Sequence, residues 1–345
     1  MKAAILEDLN RIVVRDVPMP VPGKGEMLLK VKSCAVCGSD VRIFHHGNPR
    51  VIPPVIIGHE VAGEVVTVGE GVDSFKVGDR VAIGADVPCG KCETCKQGFG
   101  NNCAINYAIG YQYSGGFCEY MLINETTVNF GPVHKIPEGV SYDAAALAEP
   151  LACAINGFEV GRVTPGSSLL IVGAGPIGCM MIELARHWGV TNVIMAQRGK
   201  ARLEIAKQFG ADAYICTSDE DLVARSRELT DGKGPDCVIT SCGSVEVHEQ
   251  AIEAVAQRGC VNLFGGLAKG TRNMSVPSNT IHYKECLVTG SHGSTPRQHK
   301  MALDFIARGY VNTEKYITHH FSLDDIEQAL AANEDRAGLK VVVNP

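Results

Sequence analysis

Residues 168–178 read SLLIVGAGPIG, and the chain runs on from there as PIGCMMIELARHWG over 176–189. An apolar run, a glycine turn and a segment with one apolar side make strand, turn and helix. That is the context in which G-x-G-x-x-G carries meaning. Gly173 permits the tight turn, and Gly175 lets a pyrophosphate approach the backbone. Gly178 lets helix and sheet pack closely, while Pro176 and Ile177 begin a helix whose positive end faces the anion. The stretch predicts a dinucleotide site on a parallel sheet.

Downstream the rhythm repeats. NVIMA, DAYI, DCVITSC, GCVNLFGG and ECLVTGS read as strands, and KARLEIAKQFG, DEDLVARSRELT and SVEVHEQAIEAVAQ as helices between them. Strands alternating with helices of ten to fifteen residues predict a doubly wound α/β domain over 151–290. Upstream, residues 1–150 are turn-rich, with short apolar or alternating runs such as KAAILED, EMLLKVKSCA, GEVVTVG and FCEYMLIN punctuated by Gly, Pro and Asp. They predict an all-β, barrel-like domain. The tail 291–345 closes on GLKVVVN, an apolar strand expected to complete a sheet of the first domain. The expected division is therefore 1–150 with 291–345, and 151–290.

Length and composition agree with two packed domains: 345 residues, of which 45% are hydrophobic. A net charge of −6 offers no surplus of cations for a phosphate backbone, so no nucleic-acid partner is expected. No run of eighteen apolar residues exists to span a membrane, and the charged N-terminus lacks the core of an export signal, which points to the cytoplasm. In such a chain fourteen cysteines mean free thiols and metal ligands before disulfides.

Four of them crowd one stretch. PCGKCETCKQGFGNNC at 88–103 spaces Cys89, Cys92, Cys95 and Cys103 as C-x2-C-x2-C-x7-C. Four thiolates suit tetrahedral zinc at about 2.3 Å each and leave no open coordination position, so this site should hold a lobe rather than do chemistry. A ferredoxin-type cluster would have a shorter last gap and a following proline, where Ala104 stands here. A second, catalytic zinc needs three protein ligands and a vacancy. CAVCGSD (34–40), IIGHEVAGE (56–64) and ALAEPLAC (146–153) together offer a thiol, an imidazole and carboxylates among glycine-rich turns.

CGSD, GHEVAGEV, the four-cysteine lobe, AEPLAC and VGAGPIG follow one another in a familiar order. The chain resembles the zinc-dependent medium-chain dehydrogenases, in particular the sorbitol (polyol) dehydrogenase branch. That resemblance implies a GroES-like β-barrel catalytic domain plus a Rossmann domain, with the active site in the cleft between them. It implies two zinc ions per chain. Cys37 and His59 match ligands of the catalytic zinc, and Glu60 and Glu149 match acidic groups that ligate it directly or exchange roles. Asp40 matches a carboxylate that orients His59, and Ser39 the hydroxyl that takes the substrate proton. The implied reaction moves hydride between a secondary alcohol of a polyol, sugar alcohol or sugar-alcohol phosphate and a nicotinamide. Relatives also oxidise threonine-type hydroxy amino acids, and some have lost catalysis altogether. Relatives are homodimers or homotetramers.

The chain departs from the family pattern in two places. After CGSDV, Arg42 stands where a histidine often ends the proton relay, leaving direct escape to water or a role for His45 or His46. Ile43 replaces a tyrosine that lines the sorbitol pocket. The strand NVIMA ends in Gln197 and Arg198, where an NAD site normally presents a carboxylate to the ribose hydroxyls. A neutral Gln197, with Arg198 and nearby Lys200 or Arg202, predicts a preference for NADP(H) over NAD(H). Lys340 matches a basic position expected to approach the cofactor pyrophosphate.

Overall fold

In the computed structural model, which describes residues 1–336 and 338–345, chain contacts gather into two units. One is Met1–Ala152 with Gly293–Pro345, and the other is Cys153–His292. The boundary falls inside the helix Ala148–Val160, whose Pro150 sits in the first turn, where a missing N–H costs nothing.

In the second unit, six strands form one sheet. Numbered along the chain they are Ser168–Val172, Asn192–Gln197, Ala213–Cys216, Cys237–Thr240, Cys260–Leu263 and Leu287–Gly290, and they lie in the order 3-2-1-4-5-6. Every pairing is parallel. Parallel strands need crossovers, and helices supply most of them; because both faces of the inner strands are then covered, those strands are nearly continuous runs of buried apolar residues. The strand order reverses between the first and fourth strands, and the glycine turn follows the first of these, at its carboxyl end. Helix ends follow local chemistry. Gly189 closes Pro176–Trp188 in a left-handed conformation (φ +85°), and the Asp221 side chain accepts the Ala224 N–H at 2.7 Å at the start of Leu222–Glu228. That helix is shorter than the sequence run that predicted it, because Asp221 caps it rather than belonging to it.

In the first unit, the principal sheet runs Ile317–Ser322, Lys340–Asn344, Met27–Ala35, Glu60–Val68, Arg80–Ile83 and Val133–Lys135, with Tyr120–Ile123 added beside Met27–Ala35. The C-terminal strand pairs antiparallel with Cys34 and Ala35 on one side and parallel with Ile317–Ser322 on the other. Leu29, Val31, Val61, Val65, Val81, Ile83, Val341 and Val343 build the core from inward positions of these strands. One element differs from the sequence reading. CAVCGSD, expected as a glycine-rich turn, leads into the helix Gly38–His46. Asp40, its third residue, caps the start by accepting the Cys37 N–H at 2.9 Å, and Ile43 on its inner face is 2% exposed within the core.

Candidate metal and cofactor sites

The cysteine lobe is built almost wholly from its own backbone. A single helical turn, Glu93–Lys96, and a short helix, Gly100–Asn102, fold the stretch back on itself, and the Thr94 hydroxyl donates to the Asn102 carbonyl at 2.9 Å. Cys89 Sγ and Cys95 Sγ stand 3.9 Å apart, Cys92 Sγ and Cys103 Sγ 4.0 Å. Sulfurs about 2.3 Å from a tetrahedral centre are separated by about 3.8 Å, so the spacing fits one zinc ion. The Cys92 thiol is pulled down to about 5 by the Ala104 backbone N–H, the Thr94 hydroxyl and the Cys95 N–H, which supplies thiolate of the kind a metal needs.

The second donor set is assembled from separate segments of the first unit. Cys37 precedes the helix Gly38–His46. His59 and Glu60 arrive through Gly58, whose φ of +93° and whose approach to Cys34, where an added Cβ would meet Sγ at 2.8 Å, admit no side chain. Ligand atoms of Cys37, His59 and Glu60 lie within 4.8 Å of one another. His59 is 4% exposed and Glu60 is fully buried. A thiol, an imidazole and a carboxylate in that span form a donor set suited to zinc, and buried groups of this kind are rarely tolerated without an ion or a partner.

Around this set the polar contacts are specific. Asp40 Oδ1 lies 3.4 Å from His59 Nδ1 and accepts the Gly58 N–H at 3.2 Å. Ser39 Oγ lies 3.3 Å from His59 Nε2. Burial disfavours a charged His59, but Asp40 and Cys37 outweigh it and raise its pKa well above the ordinary range. Such a carboxylate beside a histidine fixes the ring and strengthens it as a ligand. Glu149, buried in the first turn of Ala148–Val160, stands outside the 4.8 Å group but close enough to help hold the charge on Lys340.

Lys340 is the residue that sequence reasoning put elsewhere. It is 3% exposed in the first unit. Its ammonium is bonded to Glu60 Oε1 at 2.7 Å, stands 2.5 Å from Oε2, and donates to the Val36 carbonyl at 2.9 Å. Its donors are directed to the acid beside the histidine. Burial alone would lower its pKa; Glu60, with Cys37 and Glu149, raises it. The pairing spans 280 positions of sequence, and no local pattern signals it. Two further residues singled out in the sequence have the following surroundings. Ile43 belongs to the hydrophobic core, and His45 is tied to Asn10 and, at 3.0 Å, to Glu334.

In the second unit, Gly175 caps the helix that begins at Pro176, and a Cβ added there would meet nothing within 4 Å. One added at Gly178 would fall 1.9 Å from the Gly173 carbonyl. One glycine thus leaves open room at a helix N-terminus and the other is needed for packing, as an anion cradle requires. Gln197 ends the second strand, and its Oε1 accepts the Ala174 N–H at 2.9 Å. Arg198 beyond it is exposed, Lys200 pairs with Asp219 at 2.7 Å, and Arg202 is partly buried beside the thiol of Cys179.

Residues 23–138 match the alcohol dehydrogenase GroES-like domain, and residues 176–308 match the zinc-binding dehydrogenase domain. The chain is 33% identical to the sorbitol dehydrogenase of Halalkalibacterium halodurans over 338 residues, 97% of this chain and 96% of that one. It is 35% identical to the L-threonine 3-dehydrogenase of Pyrococcus abyssi over 319 residues, 91% and 89% of the two. A zinc-binding dehydrogenase from Sinorhizobium meliloti bound to NADP superposes with a TM-score of 0.92 at 32% identity, covering 100% of this chain and 99% of the other. The protein belongs to the zinc-dependent medium-chain alcohol dehydrogenases, on the side of the family where the polyol dehydrogenases lie. Its fold is the family's GroES-like domain plus a Rossmann domain, and it is an NAD(P)-dependent oxidoreductase. No helix among the described residues is long and apolar enough to cross a membrane.

Proposed function

We propose that the protein oxidises a secondary alcohol of a polyol, sugar alcohol or sugar-alcohol phosphate, or reduces the matching ketone, with two zinc ions per chain and NADP(H) preferred. The observation that carries the reading is the buried Cys37–His59–Glu60 donor set with the Ser39 hydroxyl 3.3 Å from His59 Nε2. Zinc bound there supplies a Lewis acid that makes the alcohol proton easier to remove, and the bound nicotinamide supplies the hydride acceptor. Cys37 and His59 hold the ion, with the acidic donor drawn from Glu60 and Glu149. Asp40 keeps the imidazole oriented, and Ser39 receives the proton of the reacting hydroxyl. Lys340 neutralises Glu60, so the donor set does not gather unbalanced negative charge away from water. Cys89, Cys92, Cys95 and Cys103 hold the second, structural ion.

The cofactor preference is supported by Gln197. Its amide fills the end of the strand and is bound to the Ala174 N–H, so no carboxylate repels a 2′-phosphate, and the exposed Arg198 is free to pair with one. Comparison of kcat/KM for NADP and NAD tests this. NADP should win, and Gln197→Asp should move the ratio toward NAD by about 10-fold or more, about 1.4 kcal/mol. An NAD preference in the parent protein refutes it. A panel of sorbitol, xylitol, 2,3-butanediol, sugar-alcohol phosphates and threonine tests the substrate class. Turnover of threonine with none of the polyols or their phosphates would favour the amino-acid reading, which the threonine 3-dehydrogenase relative supports.

A further inference from the structure

The glycine turn from Gly173 to Gly178 is held by residues outside its own motif. The strand Cys237–Thr240 pairs with Ser168–Val172 in a register that sets Thr240 opposite Val172, so the next residue, Ser241, arrives beside Gly173. The Ser241 N–H donates to the Val172 carbonyl at 2.8 Å. Its hydroxyl lies 2.7 Å from the Gly173 carbonyl and 3.2 Å from that of Val172. A hydroxyl has one hydrogen to give, and Gly173 is the nearer acceptor.

That carbonyl belongs to the same peptide unit as the Ala174 N–H, which donates to Gln197 Oε1 at 2.9 Å. A trans peptide points its C=O and its N–H in opposite directions. One peptide is thus gripped at both ends, by Ser241 beyond one flanking strand and by Gln197 at the end of the other. Gly173 and Ala174 are buried, so both polar groups need partners from the protein. Gly173 has a φ of +118°, a conformation that local preference does not select. A Cβ added at Gly178 would fall 1.9 Å from the Gly173 carbonyl and 2.9 Å from Ser241 Oγ. The hydroxyl, the carbonyl and the first turn of the helix Pro176–Trp188 therefore meet at one point. Gly175, at the cap of that helix, has no side chain to cover its first N–H groups, which leaves them for an anion.

We propose that Ser241 is a positioning residue for the cofactor pyrophosphate. By bonding the Gly173 carbonyl it sets the tilt of the Gly173–Ala174 peptide, and through that peptide it aims the uncovered N–H groups at the start of Pro176–Trp188. The proposal rests on the reading of this turn as the pyrophosphate cradle. Ser241 acts on the part of the cofactor that NAD and NADP share. It therefore serves both alike, unlike a residue that faces the ribose.

Calorimetric titration of the full-length protein with NADPH and with NADH tests this without relying on turnover. Ser241→Ala should weaken both cofactors by the same factor, about 3- to 10-fold, the worth of one hydrogen bond, and leave the ratio of the two Kd values unchanged. Ser241→Thr keeps the hydroxyl and should hold both Kd values within about 2-fold of the parent. Parent-like binding of both cofactors by Ser241→Ala overturns the proposal, whatever its melting temperature. So does a loss confined to one cofactor, which would put Ser241 at the ribose, or a Ser241→Thr variant as weak as Ser241→Ala. The cradle itself is judged separately by Gly175→Val. Backbone there is of a kind any residue adopts (φ −76°), and an added Cβ meets nothing within 4 Å. That variant should fold and lose both cofactors; normal binding by it would remove the cradle and not merely its brace.

Discussion

The two donor sets of the first unit contrast in how they are made. Cys89, Cys92, Cys95 and Cys103 lie in one short stretch that turns back on itself through two brief helices. Their thiols need nothing from the rest of the chain to come within range of one ion. Cys37, His59 and Glu60 are brought together by a helix start, a glycine turn and a strand, and are then balanced by Lys340 from the C-terminal strand and Asp40 beneath His59. A closed shell of like ligands can be local. The mixed donor set of Cys37, His59 and Glu60 instead draws on distant segments of the fold for its charge balance.

That contrast can be broken most directly by removing one sulfur from each set. Cys37→Ser should lower kcat by on the order of 10³-fold while the protein stays folded, with zinc falling from two ions per chain to one. Cys95→Ser should also lose one ion, but the effect should appear as a lower melting temperature, with turnover of the folded fraction nearly kept. Normal turnover in Cys37→Ser would reverse the assignment of the two sites. The support of the second set is tested by Lys340→Met. It leaves Glu60 buried without its cation and should cost about 3–5 kcal/mol in denaturant unfolding. A change below about 1 kcal/mol would mean that Glu60 is held by something other than this lysine.

The smallest effect concerns a pair of imidazoles whose burial outweighs any nearby carboxylate. His134 and His299 stack with Nδ1 atoms 3.0 Å apart. Burial, and for His134 the nearby Lys300, push both below the ordinary value, His134 to about 4. This is opposite to His59, which Asp40 raises. A histidine depressed in the folded state contributes stability above its unfolded pKa of about 6.5, and that contribution is lost as pH falls toward 4. Between pH 7 and 5.5 the parent protein should lose about 1 kcal/mol more than His134→Asn. Equal slopes would remove the contrast between the two imidazole environments.

Much of this was legible in the chain because its signals are local. SLLIVGAGPIG sets a strand, a turn and a helix within eleven residues, and the six parallel strands follow from the alternation after it. The cysteine spacing alone pointed to a four-thiolate donor set, and the structure brings those thiols within reach of one another. CGSD, GHEVAGEV and AEPLAC flagged Cys37, His59, Glu60 and Glu149 by residue type. What escaped were partnerships between distant segments. The sequence matched Lys340 to a cofactor position but gave no sign that its strand lies beside Ala35 and its ammonium on Glu60. Nor did the sequence show that the helix holding Ile43 turns it into the core.

The order of residues thus determined the class of chemistry, the two candidate donor sets and the glycine turn, because each depends on residue type and spacing along short stretches of backbone. Tertiary structure decided which charge faces which. A buried carboxylate must be balanced by whatever the sheet brings beside it, and that neighbour is set by strand pairing and burial rather than by position along the chain.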